Sequence, residues 1–284
     1  RKILNTLALF LLILLILVPI LGYEVKGATR WLNFKFFSIQ PSELLKGPII
    51  CMFSWFCYLY IKTNKLLYLL INFFLMMIII SFLLLQPDIG TLLLYLSIFA
   101  LLLILYFKNL KLFFLLFVIG IIFIITAYFS FDHVQSRVDN FLSSENTQVS
   151  KSISAIKEGG LFGVGLGEGQ LKYSIPESHN DFIFAILIEE FGLIFGLFIV
   201  FLYPAFFIIA KYSYSGSSNL FIENTTFCLC FILCIQAFIN IGSSINLIPP
   251  TGMTLPFISY GGSSIVSISI LSGIILNLTK RKIN

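Results

Sequence analysis

Long apolar runs, interrupted by short polar clusters, dominate the pattern along this chain. A helix needs about 20 apolar residues to cross the hydrocarbon core of a bilayer. Eight stretches meet that length: Ile3 to Leu21, Pro41 to Ile61, Leu66 to Leu85, Gly90 to Phe107, Leu110 to Phe129, Phe182 to Ala210, Phe221 to Gly242 and Leu255 to Leu278. The pattern predicts an all-α polytopic membrane protein of about eight spans. It forms one integral membrane domain over 1–284, with a long loop over about 130–180 before the sixth span. The first run is not a secretory signal, because it lacks a small-residue cleavage site and more spans follow it. The chain begins with Arg1, not Met. One or more further helices are therefore expected upstream.

Composition agrees with the pattern. Hydrophobic residues make up 58% and charged residues 11%, against roughly a quarter charged in soluble domains. Mean hydropathy is +1.01. Lys and Arg set the orientation, since they concentrate on the cytoplasmic side. One side holds Arg1, Lys2, Lys62, Lys65, Lys108, Lys111, Lys211, Lys280, Arg281 and Lys282 against a single acid, Glu223. The other eight basic and twelve acidic residues lie on the opposite side or the adjoining helix ends, so that face, including the long loop, is expected outward. Cys51, Cys57, Cys228, Cys230 and Cys234 all fall within spans and read as small packing residues. They lack zinc-site spacing and have no nearby His, so no protein-held metal is expected. The net charge of +5 follows from the positive-inside bias, and nothing resembles a nucleic-acid surface.

Four outward stretches depart from plain membrane wall. In Gly22 to Gly47, Trp31, Phe34, Phe36 and Phe37 read as an interfacial aromatic segment. "QPSE" then starts a helix, with Pro41 where a missing N–H costs nothing. Lys46 lies three residues beyond Glu43, on nearly the same face. It either snorkels outward or pairs with an acid from another helix. In "LLLQPDIGT", Leu83 to Thr91, Asp88 is placed to cap the next helix or to pair with Lys46 or Arg30.

The third stretch is the long loop. Thr147 to Lys157 has weak helical periodicity, and the glycines from Gly159 to Gly169 permit either a flexible connector or close approach to a ligand. Arg137, Lys151, Lys157 and Lys172 flank them as cations able to hold a diphosphate. His179 and Asp181 stand where loop becomes helix, and Asn180 or Asp181 suits an N-cap. Glu189 and Glu190 read as carboxylates inside the sixth span, where ionisable groups are costly unless they face the interior or a wet cavity. In the fourth stretch, Asn240 to Ser264, Pro249, Pro250, Gly252 and Pro256 break helix ahead of Ser259, Tyr260, Gly261, Gly262, Ser263 and Ser264. "GGSS" alone suits a packing face. Polar broken backbone at membrane depth belongs inside protein or against a cavity.

"KGATRWL", "QPSELLK", "QPDIGT", "IPESHNDFIFAILIEEFG" and "TGMTLPFISYGGSS", in this order, resemble the signature blocks of the shape, elongation, division and sporulation family of bacterial cell-wall proteins (FtsW/RodA/SpoVE). The resemblance spans essentially the whole chain. Its eight runs match the third to tenth of the family's ten spans. "GVGLGEGQLKYSIPESH" and "TGMTLPFISYGGSS" are more similar to the division branch, FtsW, than to RodA. Asn180 replaces the Thr or Ser usual between the His and the Asp.

The resemblance implies a peptidoglycan glycosyltransferase that polymerises lipid II on the outer face of the cytoplasmic membrane, with inversion and release of undecaprenyl diphosphate, in septal wall synthesis. An elongation role of the RodA type is the alternative. Asp181 matches the family's essential aspartate, with the role of general base. Lys46, Arg137, Lys157, Lys172, His179, Ser259, Tyr260, Ser263 and Ser264 are candidates for binding substrate or diphosphate. Glu43, Lys46, Asp88, Glu189 and Glu190 are candidates for ion pairs or a polar cavity. A divalent cation, Mg or Mn, is a further possible partner of the diphosphate. Expected protein partners are a class B penicillin-binding transpeptidase and other division membrane proteins. A lipid II flippase and a non-catalytic division scaffold are the rival readings, although the polar groups hug one membrane face and no internal repeat of the transporter kind is visible.

Overall fold

A computed structural model of the chain describes residues 2–25, 28–35, 37–108, 110–143, 147–214 and 219–280. Among these residues, seven helices are long and apolar enough to cross a membrane. They are α1 (Lys2–Leu21), α2 (Pro41–Thr63), α3 (Leu67–Leu85), α4 (Ile89–Phe107), α9 (Leu193–Tyr214), α10 (Leu220–Ser244) and α11 (Gly262–Thr279). The count rises to eight if a pair bent by 101°, Phe114–Ser130 with Val134–Leu142, is one span. That pair belongs to α5 (Leu110–Ser130) and α6 (Asp132–Leu142). The chain is a multi-pass membrane protein.

It divides into two compact units: Arg1–Ile119 with Phe207–Ile232 and Gly262–Asn284, and Gly120–Phe206 with Leu233–Gly261. In the first, α2 packs against α1, α3, α4 and α11. Gln40 is extended at its N-cap and Pro41 opens its first turn, as "QPSE" predicts. Between α1 and α2 runs a small antiparallel meander, β1 (Tyr23–Val25), β2 (Ala28–Asn33) and β3 (Ser38–Ile39), in the order β1-β2-β3. An interfacial aromatic segment was expected here. Tyr, Thr and Trp favour the pleated, half-buried strand surface, and Ser263 at the start of α11 secures its end, its hydroxyl accepting from the Gln40 N–H at 3.0 Å.

In the second unit the long loop carries structure of its own, as expected of a segment that long. It contains α6 and α7 (Thr147–Gly159), then a 3-10 turn at Leu171–Tyr173. Val149, Ile153 and Ile156, spaced i, i+4, i+7, lie in one core with Ile175, Phe182, Ala185 and Ile186, the spacing of an amphipathic helix face. Two span boundaries change. The expected span Phe182 to Ala210 is broken at Gly192 into α8 (Ile183–Phe191) and α9, with Gly192 at φ +86° and ψ 169°. Glu189 and Glu190 therefore belong to a nine-residue helix, separate from the spanning helix. The last span starts at Gly262 instead of Leu255, because Phe257 takes a left-handed φ of +67°, which interrupts a right-handed helix, and the Tyr260 N–H is drawn to His179 O.

Candidate active site

Glu177 to Phe182 form a turn that opens α8. Glu177 is in the left-handed region at φ +56°, and its carbonyl accepts from Asn180 N at 3.0 Å and Asp181 N at 3.1 Å. The Asn180 amide donates to Glu177 Oε2 at 2.8 Å. The N-cap position of α8 falls on Phe182, which has no side-chain cap bond, and not on Asn180 or Asp181.

Three successive carbonyls further along this turn, those of residues 179 to 181, are each claimed by a donor from a distant part of the chain. His179 O accepts from Tyr260 N at 3.0 Å. Asn180 O accepts from the Ser259 hydroxyl at 2.7 Å. Asp181 O accepts from Asn240 Nδ2 at 2.8 Å. The backbone of the SHND segment is thus pinned to the broken segment ahead of α11 and to the C-terminal part of α10. That broken segment is braced in turn. Asn240 also donates to Met253 O at 2.7 Å, Gln236 to Thr254 O at 3.0 Å, and the Tyr203 hydroxyl to Pro256 O at 2.7 Å. Asp181 is half-buried. A Cβ built on Gly252 would lie 3.7 Å from Asp181 Oδ2, so the glycine keeps a low wall beside the carboxylate. The side chains of His179 and Tyr260 are exposed, while Ser259 is buried.

The glycines serve a purpose other than the ligand approach considered from sequence. Val164 N and Gly165 N donate to Glu189 O and Glu190 O, and Leu193 N donates back to Gly160 O. The loop clasps the backbone at the α8–α9 break. A Cβ on Gly159, Gly163 or Gly192 would come within 2.0, 2.2 and 2.3 Å of a backbone oxygen across the clasp, distances no real Cβ adopts. Glu189 is fully buried and lies against Gly169, its Oε1 accepting from Leu171 N at 2.9 Å. Lys172 forms an ion pair with Glu190 at 2.7 Å and donates to Gly167 O at 3.0 Å. The Glu190 hydrogen bond raises the pKa of Lys172. Burial alone would raise that of Glu190, but the hydrogen bonds from Lys172 and the Gly167 backbone outweigh it and hold the carboxyl below its ordinary value. Lys172, a candidate diphosphate cation, is therefore engaged in holding the clasp. Lys157 is exposed in the last turn of α7. The side chain of Arg137 lies outside the described residues.

Lys46, Glu43, Asp88, Ser263 and Ser264 belong to the other unit. Lys46 is fully buried and does not snorkel. It forms an ion pair with Glu43 at 2.7 Å, an acid on its own helix and one of the ion-pair candidates. Asp88 caps α4, accepting from Thr91 N at 3.4 Å, and takes a 3.5 Å contact from Gln40 Nε2. Arg30 donates to the carbonyls of Gln86 and Pro87. Ser263 and Ser264 are both buried at the start of α11.

The sequence model of the family described as "cell cycle protein", FtsW/RodA/SpoVE, matches residues 1–284. The chain belongs to this family. A relative from Caulobacter vibrioides, named "Probable peptidoglycan glycosyltransferase FtsW", is 35% identical over 271 residues, covering 94% of this chain and 70% of its own. "Stage V sporulation protein E" of Bacillus subtilis is 32% identical over 288 residues, covering 95% and 76%. Two solved structures show the same fold at lower identity. A chain from a structure titled "Structural coordination of polymerization and crosslinking by a peptidoglycan synthase complex" has a TM-score of 0.79 at 22% identity and covers 100% of this chain and 84% of that one. The rod shape determining protein RodA of Thermus thermophilus has a TM-score of 0.67 at 23% identity, covering 98% and 78%.

Two residues of this family member's site escape a reading of the sequence by motif. Gln236 and Asn240 lie four apart in an otherwise apolar span, hence on one face, and both are buried. Amides at that spacing inside a span are the signal that marks them, since polar side chains within a span turn to the protein interior.

Proposed function

We propose that this membrane protein, a peptidoglycan glycosyltransferase, polymerises lipid II into glycan strands at the outer face of the cytoplasmic membrane, with Asp181 as general base. One observation carries the proposal: three successive carbonyls, His179 to Asp181, are held by Tyr260, Ser259 and Asn240, which fixes a half-buried carboxylate at the mouth of α8. A general base must hold its geometry before its pKa matters.

In the reaction, the C4 hydroxyl of one GlcNAc attacks the anomeric carbon of a MurNAc on the growing chain. The new C–O bond forms as the bond to the diphosphate breaks, inverting an α linkage to β1,4. The hydroxyl proton passes to the Asp181 carboxylate, and undecaprenyl diphosphate leaves with its electron pair. A single carboxylate suffices, since the diphosphate needs cationic support more than a proton. With Lys172 and Lys46 committed to Glu190 and Glu43, the proposed diphosphate cations are Lys157 and Arg137. Among the described residues no group of three or more His, Cys, Asp or Glu is placed to hold a metal ion. A divalent ion, Mg or Mn, is proposed only as a further partner of the diphosphate itself.

The similarity to the FtsW relatives supports a septal role with a class B transpeptidase as partner. The test is purified protein with that transpeptidase and fluorescent lipid II. Wild type forms polymer, and Asp181→Asn lowers the rate by about 10²- to 10⁴-fold, the typical range for losing a general base. Polymerisation by Asp181→Asn at the wild-type rate overturns the base assignment. Lipid II crossing liposomes with no polymer formed establishes the flippase reading instead, and neither activity leaves the scaffold.

A further inference from the structure

We infer that Asn240 is a positioning residue for this site, acting through the backbone of Asp181; the inference rests on Asp181 being the base. Asn240 sits in α10 with 1% of its surface exposed. Its amide nitrogen places both hydrogens on carbonyls that no secondary structure claims, Asp181 O at 2.8 Å and Met253 O at 2.7 Å. Two acceptors on the same atom settle which end of the amide is nitrogen, because the flipped amide would set its oxygen against two carbonyl oxygens. One rigid helix thus sets both the turn that carries the carboxylate and the segment beside it, since Met253 follows Gly252, whose Cβ position lies 3.7 Å from Asp181 Oδ2.

The arrangement has a cost that packing does not require. Asn240 Oδ1 is buried without a hydrogen-bond partner, and a lone buried acceptor is destabilising. An apolar residue of similar size avoids that cost but supplies neither of the two donors. Those donors act on the coordinates of the Asp181 backbone. Ser259 works in the same way from the other side, its hydroxyl accepting from Leu255 N at 2.7 Å while donating to Asn180 O at 2.7 Å.

The test is a double-mutant cycle on lipid II polymerisation by the full chain with its transpeptidase. A misplacement of about 1 Å costs around 10²-fold, so Asn240→Ala is expected to lower kcat by about 10- to 100-fold while KM stays within about 2-fold. In the Asp181→Asn background Asn240→Ala has no further effect, because the group it positions is gone. Ser259→Ala lowers kcat less, and Ser259→Thr, which keeps the hydroxyl, restores it. Amide hydrogen exchange then quickens in 177–182 and 252–260 and stays slow in α7, which also reports on variants too slow to assay. Equal losses in both backgrounds, a rise in KM at constant kcat, wild-type kcat in Asn240→Ala, or faster exchange throughout the unit each overturn the inference. Retained turnover in Asp181→Asn alone overturns the base assignment and this inference with it, whereas additive losses overturn the inference only.

Discussion

The two polar clusters of this protein are built on opposite plans. Around Glu43 and Lys46 the charges satisfy each other locally, three residues apart on one helix, within a bundle in which α2 touches four neighbours. Around Asp181 the backbone does the accepting, and its donors arrive from residues 59 to 81 positions away in the chain. A local pair survives small shifts of neighbouring helices because both partners move together. A carboxylate held through its backbone by distant donors keeps its place only while the surrounding fold keeps its own. The first plan suits stability. The second suits a group whose position decides a reaction.

The comparison can be broken most forcefully at Asp181, where Asn substitution removes catalysis by orders of magnitude and leaves thermal stability in detergent close to wild type. At the other cluster the order reverses. Lys46→Met removes the cation paired with a buried Glu43, and losing one partner of a buried pair costs about 3–5 kcal/mol. The expected readout is a large drop in Tm, with Glu43→Gln/Lys46→Met together costing less than Lys46→Met alone. A Lys46→Met protein of normal Tm and no activity would place that pair with the chemistry instead.

The glycine clasp offers a finer contrast. Gly192→Ala must relieve a clash with Leu161 O on top of its positive φ, so a loss well above the ~1–2 kcal/mol of a left-handed backbone alone is expected. Gly160 also has positive φ but meets nothing within 4 Å, so Gly160→Ala carries only the left-handed backbone cost, about 1–2 kcal/mol. Equal Tm changes for the two would argue that the clasp is not closed in solution.

The smallest effect belongs to pH. Glu190 is lowered from 4.5 and Lys172 raised from 10.5, so their mutual support is fully present between those values. It fades as pH falls through the depressed pKa of Glu190, and again as pH rises through the elevated pKa of Lys172. Limited proteolysis of the 163–173 segment should accelerate at both extremes in wild type and lose its alkaline acceleration in Lys172→Met.

Several features were legible from residue pattern alone. The spans are among them, because a bilayer demands long apolar runs whatever their neighbours. So are the start of α2 at Pro41 and the cap at Asp88, which depend on residues within one turn. Glu43 and Lys46 were placed on one face by spacing, yet which acid Lys46 meets depended on burial. Glu189 and Glu190 were misplaced into a continuous span because Ile, Leu and Phe run through Gly192 without a break in hydropathy. The break there depends on the loop from Gly160 to Gly165 returning to take up the backbone groups. The meander between α1 and α2 was read as an aromatic interfacial segment because its residues suit both environments.

By itself the sequence determined the membrane-spanning helical architecture, the crowding of ionisable groups at one helix entrance, and, through its motif blocks, the family. These are local or compositional properties, written in runs, spacings and turn residues. Only the tertiary structure decided that Lys172 is bound to Glu190, that the glycines clasp backbone, and that Asn240, Ser259 and Tyr260 hold the turn bearing Asp181. Each of those depends on groups far apart in the chain meeting within hydrogen-bond distance, and no periodicity along the sequence encodes such a meeting.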